Sequence, residues 1–365
     1  MAEPAATAPI AYRPSLPPKD GLARAEPFSV FAALDLGTNN CRLLVGRPAG
    51  RGFVVLDSFS RTVRLGEGLE ESGRLDAAAM ERAIAALGAC AERLDRWQPV
   101  GIEAIATEAC RRAGNGAEFL ARVRCETGLA IVVISPREEV LLAIDSCAPL
   151  LARRAAGDGA APTRALLFDI GGGSTELAWL RLDGGGRPSL IGCASLPVGV
   201  VTLAERHRGV CCTAAGFAAM VVETAPLLTP FEAVHCIARE IRQGEEAGRV
   251  LLLGTSGTVT TLAALALDLP RYRRSLIDGA VLTRGAACRA LAQLSSLDRE
   301  GLVNHPCIGP DRATFVFPGA AIFAAILGAW PAPQLIVADR GLREGLLLRA
   351  IRAHVRPLAS RLRLP

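Results

Sequence analysis

The segments ALDLGTNN at 33–40 and FDIGGGST at 168–175 are one turn written twice. Each is an apolar run ended by an aspartate, followed by a glycine-bearing turn and a return to apolar residues. Asp35 and Asp169 stand 134 positions apart, and Gly37 and Gly171 repeat the interval. A single such turn is as well explained by a hairpin with Asp at its tip. Two in register point to a duplicated domain whose anion-holding loops face each other across a cleft.

Working outward, each half reads as three strands followed by alternating helix and strand. In the first half the strands fall at 28–35, 41–47 and 52–59. A helix follows over 76–97, capped by Asp76, with Met80, Ile84, Leu87 and Leu94 at helical spacing. Next come a strand at 101–107, a helix at 116–127 stopped by Gly128, a strand at 130–134 and a helix from 137 to 151. The stretch RRAAGDGAAPTR at 153–164 reads as a linker. The second half restarts with strands at 165–170, 175–182 and 188–195, then helices over 200–244. A strand at 250–254 leads into a helix at 258–268; helices near 284–295 and 312–328, a strand at 334–338 and a last helix from 341 complete it. This is an α/β chain with a mixed sheet and flanking helices in each half. Its ligand site belongs in the interdomain cleft, at strand ends and helix starts. The expected domains are 28–152 and 164–339, with a C-terminal helix at 341–354 packing back on the first.

Composition narrows the classes. Half the residues are apolar and 21% are charged, ordinary for a globular chain of 365 residues. The basic residues are Arg apart from Lys19, and the net charge is only +5, so no nucleic-acid partner is called for. The first 27 residues hold six prolines and no apolar stretch, which reads as a disordered tail without the features of a signal peptide. The eleven cysteines form no C-x-x-C pair and read as reduced thiols in a cytoplasm. Residues 313–338 carry no charge, but Pro318, Pro331 and Pro333 cut them into a helix too short to span a membrane, so a buried helix is expected.

The chemistry concentrates at the two turns. Asp35 and Asp169 end apolar strands, where a carboxylate is costly unless paired or bound to a cation, so the pair is a candidate Mg²⁺ site. Gly37, Thr38 and Asn39, and Gly171, Gly172 and Gly173, offer backbone N–H groups to a phosphate; Thr38, Asn40, Ser174 and Thr175 add neutral donors. Glu176 takes the place of Arg42 in the aligned repeat, so the turns are not equivalent. GTSGT at 254–258 (Gly254, Ser256, Gly257) is a strand–turn–helix with anion-holding capacity. Glu138 and Glu139 open a helix, where acids complement the dipole; the sharper reading aims one into the cleft to orient a water. Arg111, beside Arg112, is placed to clamp a phosphate.

In order along the chain, ALDLGTNNCRLLV, RLGEGL, AIATEACRRAGN, TGLAIVVISPREEV, LLFDIGGGSTEL, SLPVGVVTL, GTSGTVTTLA and GLREGLL together resemble the exopolyphosphatase/guanosine pentaphosphate phosphatase (Ppx/GppA) family. The resemblance implies duplicated actin-like (ribonuclease H-like) domains and a short form without the C-terminal helical domain of longer members. It implies hydrolysis of a terminal phosphoanhydride of polyphosphate or guanosine pentaphosphate, Mg²⁺ or another divalent cation, a homodimer, and neither nucleic acid nor membrane as partner. Its catalytic glutamate falls on Glu139, its substrate arginine on Arg111 and its metal-linked acids on Asp169 and Glu176. The phosphate loops fall on 35–40 and 169–175, and the glycine after the third strand on Gly199. Glu108 stands where the family has a small Ser, so a carboxylate sits near Arg111 and is expected to weaken its hold on phosphate. Two other readings of the paired-loop fold remain, an ATP-dependent phosphotransferase and a non-catalytic alarmone sensor.

Overall fold

The computed structural model describes residues 29–50, 52–155, 162–183, 188–244 and 250–361. The tail expected at 1–27 and half of the 153–164 linker, residues 156–161, lie outside them. In the first lobe β1 (Phe31–Leu36), β2 (Asn40–Ala49), β3 (Gly52–Thr62), β4 (Gly101–Ala106) and β5 (Val132–Val133) form one sheet in the order β3-β2-β1-β4-β5. In the second, β6 (Arg164–Ile170), β7 (Thr175–Arg181), β8 (Ser189–Leu196), β9 (Val250–Thr255), β10 (Val281–Thr283) and β11 (Gln334–Ala338) are ordered β10-β11-β9-β6-β7-β8. β1 pairs antiparallel with β2 and parallel with β4; β6 pairs the same way with β7 and β9. The duplication read from two turns is therefore a duplication of sheet topology.

The central strands are buried on both faces, which is why they read as continuous apolar runs and not as alternation. All six residues of β1 are buried. In the second lobe the helix Val316–Ala329 buries Phe323 beside Phe168, their ring centroids 6.1 Å apart. Each such aromatic contributes roughly 2–3 kcal/mol of burial. The uncharged 313–338 stretch is thus a core helix plus β11. It starts two residues before Pro318, because proline is tolerated in a first turn. Among the described residues one helix, Ala214–His235, is long and apolar enough to cross a membrane by length and composition. One of its faces packs here, with Met220, Leu228 and Phe231 in the same core cluster as Phe323.

The chain crosses between lobes on two helices. Pro136–Ala155 follows the first sheet but buries Val140, Ile144, Cys147 and Leu151 against Ala165, Leu167, Ala178 and Leu180 of the second. Leu342–Arg361 follows the second sheet but packs Leu346, Leu347 and Ile351 against Phe31 and Leu44 of the first. The two helices touch at Gly345, where a Cβ would stand 2.2 Å from the Leu142 carbonyl oxygen. A charged network spans the lobes elsewhere: Glu70 pairs with Arg112 at 2.6 Å and with Arg206 at 2.7 Å. All eleven cysteines are free.

Candidate active site

Both turns are closed by the same bond. Gly37 N donates to the Asn40 carbonyl at 2.9 Å, and Gly171 N to the Ser174 carbonyl at 2.9 Å, the interval of 134 residues again. The turns meet face to face: a Cβ on Gly172 would lie 2.8 Å from Thr38 Cβ and 3.2 Å from Asn39 N. The RLGEGL segment braces the first turn, with Val63 N and Arg64 N donating to the Asn39 carbonyl and Gly66 N to that of Thr38. The SLPVGVV segment braces the second. Val200 N donates to Gly171 O and Val201 N to Gly172 O, drawing those carbonyls onto the helix Val200–Arg206. That contact needs glycine at 199, because a Cβ there would stand 2.4 Å from Gly172 O. The expected result for Gly199→Ala is a displaced turn and a loss of about 100-fold in kcat/KM, the scale of a misplacement of about 1 Å. Steady-state kinetics checks it, and a value within threefold of the parent contradicts the bracing role.

The turns line a cavity of about 880 Å³ that runs between the lobes. Asp35, Gly37, Thr38, Asn39, Asn40, Glu139, Asp169, Gly171, Gly172, Gly173, Ser174, Glu176, Ser256 and Gly257 all face it. Besides Gly199, which braces the second turn from behind, three candidates from the sequence lie behind the wall. Gly254 is buried, and a Cβ there would stand 2.5 Å from the Phe168 ring, so packing accounts for it. Thr175 is buried and donates to the Val198 carbonyl at 2.7 Å. Arg111 lies behind Glu108, which does face the cavity. Ser256 takes φ 125°, a strained value for a non-glycine residue, and caps the helix Gly257–Ala266. Sequence reading gave no role to Arg61, Arg274, Arg312 and Arg343, which also line the cavity. Arg61 and Arg312 are brought there by pairing and packing over long separations, which no short motif reports.

The glutamate pair at the head of Pro136–Ala155 divides its tasks. Ser135 and Glu138 form a reciprocal cap: Ser135 N and Oγ both donate to Glu138 Oε2 at 2.8 Å, and Glu138 N donates to Ser135 Oγ at 3.3 Å. Glu139, one position on, is turned inward and only 3% exposed. Because its helix belongs to the first lobe by sequence and to the second by packing, its first turn opens at the junction of the two.

Acids crowd this junction. Burial, and then the charge of Glu176, push the Glu139 carboxyl upward, against the pull of Arg111, 3.5 Å away. Burial also raises Glu176, although Ser174 Oγ and Ser195 Oγ donate to its Oε1 at 2.7 and 2.9 Å and Glu139 hydrogen-bonds to it. With Glu176 held as acceptor by two serines, the proton of the pair belongs on Glu139. Burial raises Asp169 to about 7, with Glu176 adding to the shift, and raises Asp35 to about 6 despite Arg42. Asp35 Oδ1 is buried without a hydrogen-bond partner. Among the described residues no three acidic, His or Cys side chains already enclose an ion. An orphaned carboxylate oxygen among mutually repelling acids suits a cation held by one or two carboxylates, waters and a phosphate, which is the habit of Mg²⁺.

Two lobes of one topology, with glycine turns facing across an acid-lined cleft, define the actin-like class of fold. The profile of the Ppx/GppA phosphatase family matches residues 44–354, and the chain belongs to that family. It is 30% identical over 336 residues to a guanosine-5'-triphosphate,3'-diphosphate pyrophosphatase of Vibrio cholerae. That match covers 90% of this chain and 61% of the relative, so the chain spans about three-fifths of the relative's length. The Aquifex aeolicus PPX-GPPA enzyme is similar in structure, with TM-score 0.68 and 28% identity over 88% of this chain and 99% of that one. An exopolyphosphatase-like protein superposes with TM-score 0.75 at 25% identity over 90% of this chain and 99% of that one.

Proposed function

We propose that this protein is a phosphohydrolase that releases the terminal phosphate of inorganic polyphosphate, of guanosine pentaphosphate, or of both. What carries the reading is the buried Glu139 carboxyl facing the same cavity as two glycine turns that touch each other. Phosphoryl transfer asks mainly for positioning and for stabilisation of charge on the moving group. The N–H groups of the two turns supply the first, except those of Gly37 and Gly171, which are expected donors that instead close the turns, and the arginines of the cavity supply part of the second. Ser174 and Ser195 fix Glu176, and Glu176 together with Arg111 fixes Glu139. In its ionised form Glu139 accepts the proton of the attacking water. Asp35 and Asp169 would hold a divalent cation, with Glu176 nearby; when bound, it supplies positive charge to the phosphoryl oxygens and favours the ionised acids. The protein acts on polyanions, without nucleic acid or membrane as partner, in a cytoplasm and as a homodimer. Phosphate release from polyphosphate and from guanosine pentaphosphate, measured side by side with Mg²⁺, tests the reading. Release from at least one is expected; release from neither overturns it.

A further inference from the structure

Sequence reading places no element between the strand at 101–107 and the helix at 116–127; the structure forms a short helix there, Glu108–Arg112. Its spacing of three sets Glu108 Oε2 2.6 Å from Arg111 Nη2. The rest of the guanidinium is also engaged: Nη1 donates to the Ile134 carbonyl at 2.7 Å and lies 3.5 Å from Glu139 Oε1. Glu108 lines the cavity and Arg111 does not. Glu108 also reaches the second phosphate turn, since a Cβ on Gly173 would lie 2.8 Å from its Cγ. Its side chain therefore runs past the Gly171–Gly173 turn to the arginine, and its carboxylate occupies the Nη2 donor that an anion bridging turn and guanidinium would use.

We propose that Glu108 is a resident competitor of the substrate phosphate for Arg111, a residue that sets affinity for phosphate by having to be displaced from the guanidinium. A carboxylate and a phosphate oxygen satisfy the same fork of N–H donors, so only one of them holds Nη2 at a time. Substrate binding then includes breaking the Glu108–Arg111 pair, and product phosphate is expelled when the pair re-forms. Glu108 acts through Arg111 and is a positioning residue. The inference rests on the phosphohydrolase reading for its substrate, but the competition itself is a binding property.

The test is calorimetric binding of inorganic tripolyphosphate, with Mg²⁺, to the full chain, to Glu108→Ser, and to each with Arg111→Ala added. Glu108→Gln is the near-isosteric control, and thermal melting reports folding. Glu108→Ser is expected to bind about tenfold more tightly, the loss of one charged competitor, with Glu108→Gln between it and the parent. Inhibition by orthophosphate should strengthen in parallel. In the Arg111→Ala background the gain should vanish, since coupled residues are non-additive. A gain that persists there would assign the effect to net charge alone and overturn the inference, as would unchanged binding in Glu108→Ser and Glu108→Gln or no binding by any form. Absence of turnover with the expected binding pattern would instead overturn the hydrolase reading alone.

Discussion

Glu139→Gln is expected to lower kcat for phosphate release by about three orders of magnitude, the middle of the range for loss of a general base. The substitution keeps the shape of a side chain that is only 3% exposed, and the hydrogen-bonding geometry around it, so the loss should be chemical. Tripolyphosphate binding should change by no more than about threefold, because the phosphate contacts lie on the turns and arginines. Glu138→Gln is the internal control: that side chain caps the helix at Ser135 and sits outside the cleft. Removing its charge at the helix start should cost on the order of 0.5 kcal/mol of stability and little activity. Retention of a tenth or more of the parent kcat by Glu139→Gln would contradict the assignment of the base.

The second large effect is one of stability against function. Asp169 is raised from 3.8 to about 7 and Asp35 from 3.8 to about 6 in the metal-free fold. Between those limits the folded chain holds protons that the unfolded chain has released, so stability present below the ordinary value is lost as pH rises through about 6 to 7. Glu139, raised by burial and by Glu176, extends the loss upward. The metal-free protein should melt several degrees lower at slightly alkaline pH than at mildly acidic pH. Asp169→Asn should recover most of that difference while abolishing phosphate release, since the acid that strains the fold is one the site needs. Mg²⁺ should raise the melting temperature of the parent at alkaline pH, and raise that of Asp169→Asn much less. Calorimetric melting across pH decides it; a melting temperature that rises steadily with pH in the absence of metal would contradict the crowded-acid account.

The sequence made the scaffold legible where local rules dominate. Strand β11 at 334–338 and the helices at 116–127 and 284–295 have the same limits in sequence and structure. Asp76 caps Ala77–Trp97 as its position suggests, accepting from Ala78 and Ala79. The repeated turn carried the duplication because a single closing bond, Gly37 to Asn40 and Gly171 to Ser174, dictates the same residue types twice. What stayed hidden is tertiary. Nothing local says that Pro136–Ala155 packs on the second sheet, which is what places Glu139 at the junction. Nor does anything local distinguish Gly254, required by the Phe168 ring, from the glycines that face the cavity. The nearness of Glu108 to Arg111 could be expected from the sequence, but not the helical turn of five residues that sets their geometry, which is too short to carry a periodic signal.

In the proposed reaction the doubled turn and Glu139 form one site for water attack on a terminal phosphorus. Turnover in water enriched in heavy oxygen tests it most directly. One solvent oxygen is expected in each orthophosphate released and none in the remaining chain or nucleotide, with the signal lost in Glu139→Gln. Phosphate consumed without incorporation of solvent oxygen, or label appearing only in the remaining chain, would contradict it.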